Sequence, residues 1–307
     1  MIENHLLSLV LVATTAGLLL PDLGVALSGW VTPMLAVLML SVSLTFDLTT
    51  LRRVLARPGV QALATGLVYG PMSLAGFALG WLVFGSAPLG LGFALVGTLP
   101  TDVSSPLLVM LGRGNVALAT VLNAVNTSLA PLLVPALFLL YTGVELDLPV
   151  LALVGELAAT VLVPTGLGVA LRTWRPGRIA PIEPALSATA STAYVLLVLA
   201  VVGPNADAIL AAPGTMAVAT VVALALNGFG YLLGWGVGPL LDGRSDRVAM
   251  LFTTSKKEFS IAALVVFASG LPAEVALPAV VFAVVQMTTS PLVARVLAGR
   301  SDARNGD

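Results

Sequence analysis

The chain has 307 residues, of which 58% are apolar and 9% charged, and its mean hydropathy is +1.04. A soluble domain carries roughly 25% charged residues, so too few are present here to clothe a water-facing surface. The net charge of -1 supplies no basic face for nucleic acid, and the absence of cysteine removes disulfides, thiolate metal sites and thiol nucleophiles.

A membrane span takes about 20 mostly apolar residues. In chain order, polar and Pro/Gly breaks predict ten, at roughly 5–20, 26–46, 58–85, 89–111, 115–142, 149–172, 184–203, 208–240, 247–270 and 273–298. The first carries the lone histidine, His5, expected as an interfacial residue. It lacks a positive n-region and a small-residue cleavage signal, so it reads as a retained span. Trp30, Trp81, Trp174 and Trp235 fall near predicted span ends, as interfacial anchors should. Glu156 lies near a span end and is expected to reach the interface.

The ten-span division sorts the charges. Arg52, Arg53, Arg57, Arg113, Arg172, Arg175, Arg178, Arg244, Arg247, Arg295, Arg300 and Arg304 fall on one side, twelve of the fourteen basic residues. The opposite loops hold Asp22, Glu145, Asp147, Asp207 and Glu274 and no Lys or Arg. The positive-inside rule then puts both termini in the cytoplasm, with the chain in a bacterial inner membrane.

The two remaining basic residues are Lys256 and Lys257, inside the ninth span. With Glu258 they complete the polar block Thr253-Thr-Ser-Lys-Lys-Glu258, which no lipid-facing helix would carry. The fourth span has its own break: Pro100 and Pro106 remove backbone donors and disfavour helix at the preceding residues, around Asp102. Open backbone at membrane depth survives only where protein or a wet cavity satisfies it, so both breaks should line a site. If they cross, Asp102 can approach Lys256 or Lys257, and the four charges Asp102, Lys256, Lys257 and Glu258 sum to zero. Two ammonium groups offer six N–H donors, and donors left over beside half-helix N-termini would make an anion site. A salt bridge that merely pins the crossover is the plainer reading.

The halves echo each other. Asn126-Thr-Ser-Leu-Ala-Pro131 closes the fifth predicted span and Met287-Thr-Thr-Ser-Pro291 the tenth, each after a broken span. Five spans per half make the repeats, 1–142 and 149–298, inverted, and interrupted helices at matching positions point to the binding site of a secondary transporter. Ser104, Ser105, Asn123, Thr253 and Gln286 would shape a polar cavity around the charges, though amides and hydroxyls such as Asn126 and Asn227 more often join helices. An intramembrane enzyme finds no support: there is no His-Glu-x-x-His, no paired aspartates, and Ser255 beside Lys256 faces another side of a helix.

These residues resemble the bile acid:sodium symporter family, part of a superfamily that includes arsenite exporters. The run Met39 to Asp47 leading into Arg52 and Arg57-Pro58 looks like the family's second span. Gly114 to Leu118 with Pro131 to Ala136 is similar to its fifth, and Asn227 to Gly234 to its eighth. The resemblance implies one all-α membrane domain of ten helices, inverted five-helix repeats, crossed broken helices in spans 4 and 9, and a bundle rocking against a core of spans 3–5 and 8–10. It implies a monomeric carrier in the lipid bilayer, moving a small organic anion by alternating access without a cofactor. The family's sodium-ligand positions fall on Gly66, Ser105, Pro106, Ala119, Asn123, Thr253 and Lys257. An ammonium at Lys257, paired with Asp102 or Glu258, would stand where the cation sits, which favours a proton or no coupling ion over sodium. A proton-linked exporter or antiporter is the alternative, and arsenite is disfavoured because exporters of it depend on a cysteine.

Overall fold

A computed structural model describes residues 6–45, 57–143 and 150–305. Asp47, Arg52 and Arg53, His5, Glu145 and Asp147 lie outside the described residues. All regular structure within them is helical.

Helix α1 (Leu6–Leu19) turns by 104° into α2 (Pro21–Ser28), and α3 (Val31–Ser43) follows. Helices α4 (Pro58–Tyr69) and α5 (Pro71–Phe84) form the third predicted span, interrupted at Gly70. The fourth is divided as its prolines require: α6 (Pro88–Thr98) stops at Leu99, extended at φ -64° and ψ 149° before Pro100, and α7 (Ser105–Leu111) holds Pro106 in its first turn. Helix α8 (Val116–Thr142) keeps Pro131 and Pro135 in its interior and is capped by the Asn115 side chain, which accepts from the Leu118 amide. Helices α9 (Val150–Leu157) and α10 (Val163–Trp174) are joined by a π turn at Ala158–Leu162. The short α11 (Pro176–Ile179) leads to α12 (Glu183–Val202). The eighth predicted span is shorter than 208–240: α13 (Ala206–Ala211) ends before Pro213, which begins α14 (Pro213–Gly236). The ninth is α15 (Arg244–Ser255) and α16 (Phe259–Ala268), and the tenth is α17 (Leu277–Asn305).

Among the described residues six helical stretches are long and apolar enough to cross a membrane, or seven with the bent α1–α2 pair. Trp30, Trp81 and Trp174 are exposed near helix ends, and the Trp235 ring lies 4.0 Å beneath the Arg247 guanidinium. Glu156 accepts a hydrogen bond from Thr32 at 3.0 Å.

Packing divides the helices into two groups. Helices α1, α2 and α3 gather around α12, with α10 packed on α3, while α4 to α8 and α14 to α17 pack with one another. The broken helices lie deepest, and residues 248–266 are buried without interruption. That burial explains how a polar block survives in an apolar chain: protein, not lipid, surrounds it. The two echoed segments differ from expectation. Asn126 and Met287 each begin roughly three turns into α8 and α17, so the echo marks helix interiors rather than span ends. Both Pro131 and Pro291 are kept within continuous helix there.

At one end of this second group, Arg57 pairs with Asp242 at 2.6 Å and with the nearly buried Asp246 at 2.8 Å, and Asn115 donates to Asp246 at 2.7 Å. Arg244 donates to the Leu297 carbonyl. The beginnings of α4, α8 and α15 and the later part of α17 therefore meet at one end of this helix group. Among the described residues Arg57→Ala leaves Asp246 with Asn115 as side-chain partner, and it is expected to cost about 1–3 kcal/mol. Asp242→Ala, at a side chain 84% exposed, should cost under about 1 kcal/mol. Thermal unfolding of the two variants separates these outcomes.

Candidate functional site

The two breaks satisfy each other. The Glu258 amide donates to the Pro100 carbonyl at 3.0 Å, Thr101 Oγ1 to the Thr253 carbonyl at 2.8 Å, and the Val103 amide to Glu258 Oε2 at 3.1 Å. Each opening thus supplies partners for backbone the other leaves unpaired. The second break contains no proline: Lys256 is extended at φ -103° and ψ 140°, and contacts with the first break hold it open.

Of the expected charge pairs one forms. Lys256 Nζ lies 3.3 Å from Asp102 Oδ1 and donates to Ser104 Oγ at 2.6 Å. Asp102 Oδ1 also accepts from the Ser104 amide at 2.8 Å and from the Ser104 hydroxyl. Its other oxygen accepts from Gln286 Nε2 at 3.3 Å. Asp102 is 0% and Lys256 1% exposed, so this pair is interior.

Lys257 departs from expectation. Its ammonium donates to three backbone carbonyls, Val68 at 3.0 Å, Gly97 at 2.8 Å and Leu99 at 2.9 Å. Among the described residues it forms no ion pair with Asp102 or Glu258. Glu258 instead accepts from Val103 and from Ser260 Oγ at 2.5 Å. The surplus of donors expected for an anion site shrinks accordingly: the three protons of Lys257 are taken, and a spare one remains on Lys256 alone. The physical reason is local. The end of α6 and the end of α4 leave carbonyls turned inward, and they outcompete carboxylates that serine and backbone donors already hold.

Gln286 ties the arrangement together, accepting from the Lys257 amide at 2.9 Å and donating to the Lys257 carbonyl at 3.0 Å. Asn123 donates to the Asp102 carbonyl at 3.3 Å and accepts from Thr127. Among the described residues the Ser105 and Thr253 hydroxyls are buried without a hydrogen-bond partner. All nine expected site residues thus lie at or beside the crossing. Asn126 joins Thr65 to Thr101, and Asn227 joins Thr289 to the Ser255 carbonyl, both acting as helix connectors.

A cavity of about 250 Å³ separates the two helix groups, lined by Ser41 and Thr45 near the end of α3, Ser104 at the break, and Ser187, Ser191 and Tyr194 of α12. Tyr194 packs edge-on against Phe259, with ring centroids 4.5 Å apart. The α12 residues were not among the sequence candidates. Their signal was present, since Ser187, Ser191 and Tyr194 recur at helical spacing and share one face.

The profile of the Sodium Bile acid symporter family matches residues 32–212. The chain belongs to that family. The matched stretch contains the first break and ends before the second. Among relatives, the chain is 29% identical to YbaS of Bacillus subtilis over 83% of this chain and 84% of that one. It is 28% identical to YocS of the same organism, named a sodium-dependent transporter, over 76% and 71%. It is 30% identical to the chloroplastic BASS1 of Oryza sativa, named a probable sodium/metabolite cotransporter, over 71% of this chain and 55% of that one. Family and relatives indicate a membrane-spanning transporter.

Proposed function

We propose that this family member is a secondary transporter that moves a small organic anion across a bacterial inner membrane by alternating access, without the sodium coupling named for its relatives. Ten crossings serve this reading: the six long helical stretches, the α1–α2 pair, α3, and the broken pairs α6–α7 and α15–α16. Residues 1–142 and 149–298 form the two inverted repeats, and the arginine-rich end faces the cytoplasm with both termini. The group around α12 rocks against the group that carries the breaks.

One observation carries the reading: Lys256, at the crossing of two broken helices, reaches Ser104 on the wall of a cavity lined by hydroxyls and apolar side chains between two helix groups. Lys256, paired with Asp102 but with one N–H donor left over behind Ser104, together with the serines and tyrosine of the wall suits a carboxylate or sulfonate bearing further polar groups. Lysine at two of the three positions of the second break disfavours a sodium ion nearby, so proton coupling or uncoupled passage follows.

Uptake of candidate carboxylates and sulfonates into proteoliposomes, under imposed sodium or proton gradients, tests this. Flux independent of sodium is expected, and Lys256→Met should lower it roughly tenfold or more, because a hydrogen bond to a charged group is worth about 1.5–3 kcal/mol. Uptake that requires a sodium gradient overturns the coupling assignment.

A further inference from the structure

Lys257 occupies a place built for a positive charge rather than for a lysine in particular. Its ammonium is 0% exposed and meets three carbonyl oxygens at 2.8–3.0 Å. Gly97 belongs to the last turn of α6 and Leu99 follows that helix, while Val68 belongs to the last turn of α4. Helix C-termini carry partial negative charge, so two helix ends and a ring of inward carbonyls favour a cation without any carboxylate. Three acceptors match the three protons of an ammonium, whereas a neutral amine would turn its lone pair toward a carbonyl. The main chain of Lys257 is clamped at both its amide and its carbonyl by Gln286, so the cage does not depend on the lysine side chain for its shape.

We infer that these carbonyls form a latent monovalent-cation site in which the Lys257 ammonium serves as a permanently tethered ion. Rings of backbone carbonyls replace the hydration shell of alkali cations, and hard oxygen ligands suit them. No carboxylate contributes, so a single charge is the match and a divalent ion is not. Shortening the lysine opens the cage to free sodium or potassium. The consequence for coupling rests on the transporter reading above, but cation binding does not, and it is measured without substrate.

The test is thermal unfolding of detergent-purified wild type, Lys257→Ala and Lys257→Gln in choline, sodium and potassium chloride at matched ionic strength. Wild type should melt at the same temperature in all three salts. The two variants should melt lower in choline and recover with sodium or potassium in a saturable way, rising roughly 2–3 °C at ten times the dissociation constant. The glutamine variant, which adds one oxygen to the cage, should saturate at lower cation concentration. Saturable stabilisation of the wild type by sodium or potassium overturns the inference, as does a variant that gains nothing from either. Variants that fail to fold in both salts also overturn it, because a free cation would fill the cage. Proteoliposome flux that fails while this cation dependence appears would instead sink only the transporter reading.

Discussion

Replacing Lys256 by Met is expected to destabilise the protein by about 3–5 kcal/mol, the range for removing one partner of a buried ion pair. Asp102 is fully buried and Lys256 nearly so, and the separation of 3.3 Å leaves no room for water between them. Without the ammonium, Asp102 keeps Ser104 and a long contact to Gln286, neither of which carries charge. Asp102→Asn keeps the shape of the side chain but leaves Lys256 facing a neutral amide. The double variant should therefore cost less than the sum of the two single ones, by about 0.5–3 kcal/mol. Thermal unfolding of the four proteins measures this coupling. Additivity within about 0.5 kcal/mol would show that the pair only shares a location and does not hold the crossing.

A comparably large effect is expected at Gly230. A Cβ built there would lie 2.6 Å from the Ser255 Cα and 3.1 Å from its Cβ, so α14 approaches the last turn of α15 backbone to backbone. Gly234, one turn on, meets the Leu251 Cα at 2.7 Å in the same way. Such close crossings of small residues are how membrane helices gain packing energy without a hydrophobic driving force between them. Gly230→Leu forces α15 outward just before Lys256 and should cost about 1–3 kcal/mol or more through overpacking, with loss of flux because the break moves. Gly228→Ala is the control: nothing lies within 4 Å of its added Cβ, and it should be neutral or gain up to about 1 kcal/mol from helix propensity. Melting temperature and flux of both variants decide the matter. If Gly230→Leu transports normally, the close approach does not position the site.

Much of the site was legible because buried charge is costly enough to be conspicuous in an apolar sequence. Asp102, Lys256, Lys257 and Glu258 stood out on that ground alone, and Pro100 announced the first break through its missing amide. The partners were not legible. Lys257 meets the main chain of residues far away in sequence, and a carbonyl carries no sequence signature because every residue has one. The second break has no breaker residue and exists through its hydrogen bonds to the first, so only polarity hinted at it. Ser187, Ser191 and Tyr194 formed a recognisable helical stripe, but nothing local said that α12 would bring it opposite Ser104.

The sequence by itself determined that this is an all-helical membrane protein with a charged, interrupted centre. Those properties follow from solvation of each segment separately: apolar spans, costly intramembrane charges and prolines without donors. The tertiary structure alone decided which lysine pairs with Asp102, that the other sits among the carbonyls of Val68, Gly97 and Leu99, and where the cavity lies. These are contacts between segments whose own preferences are equal, since either ammonium suits either oxygen, and only the crossing angle and depth of the packed helices break the tie.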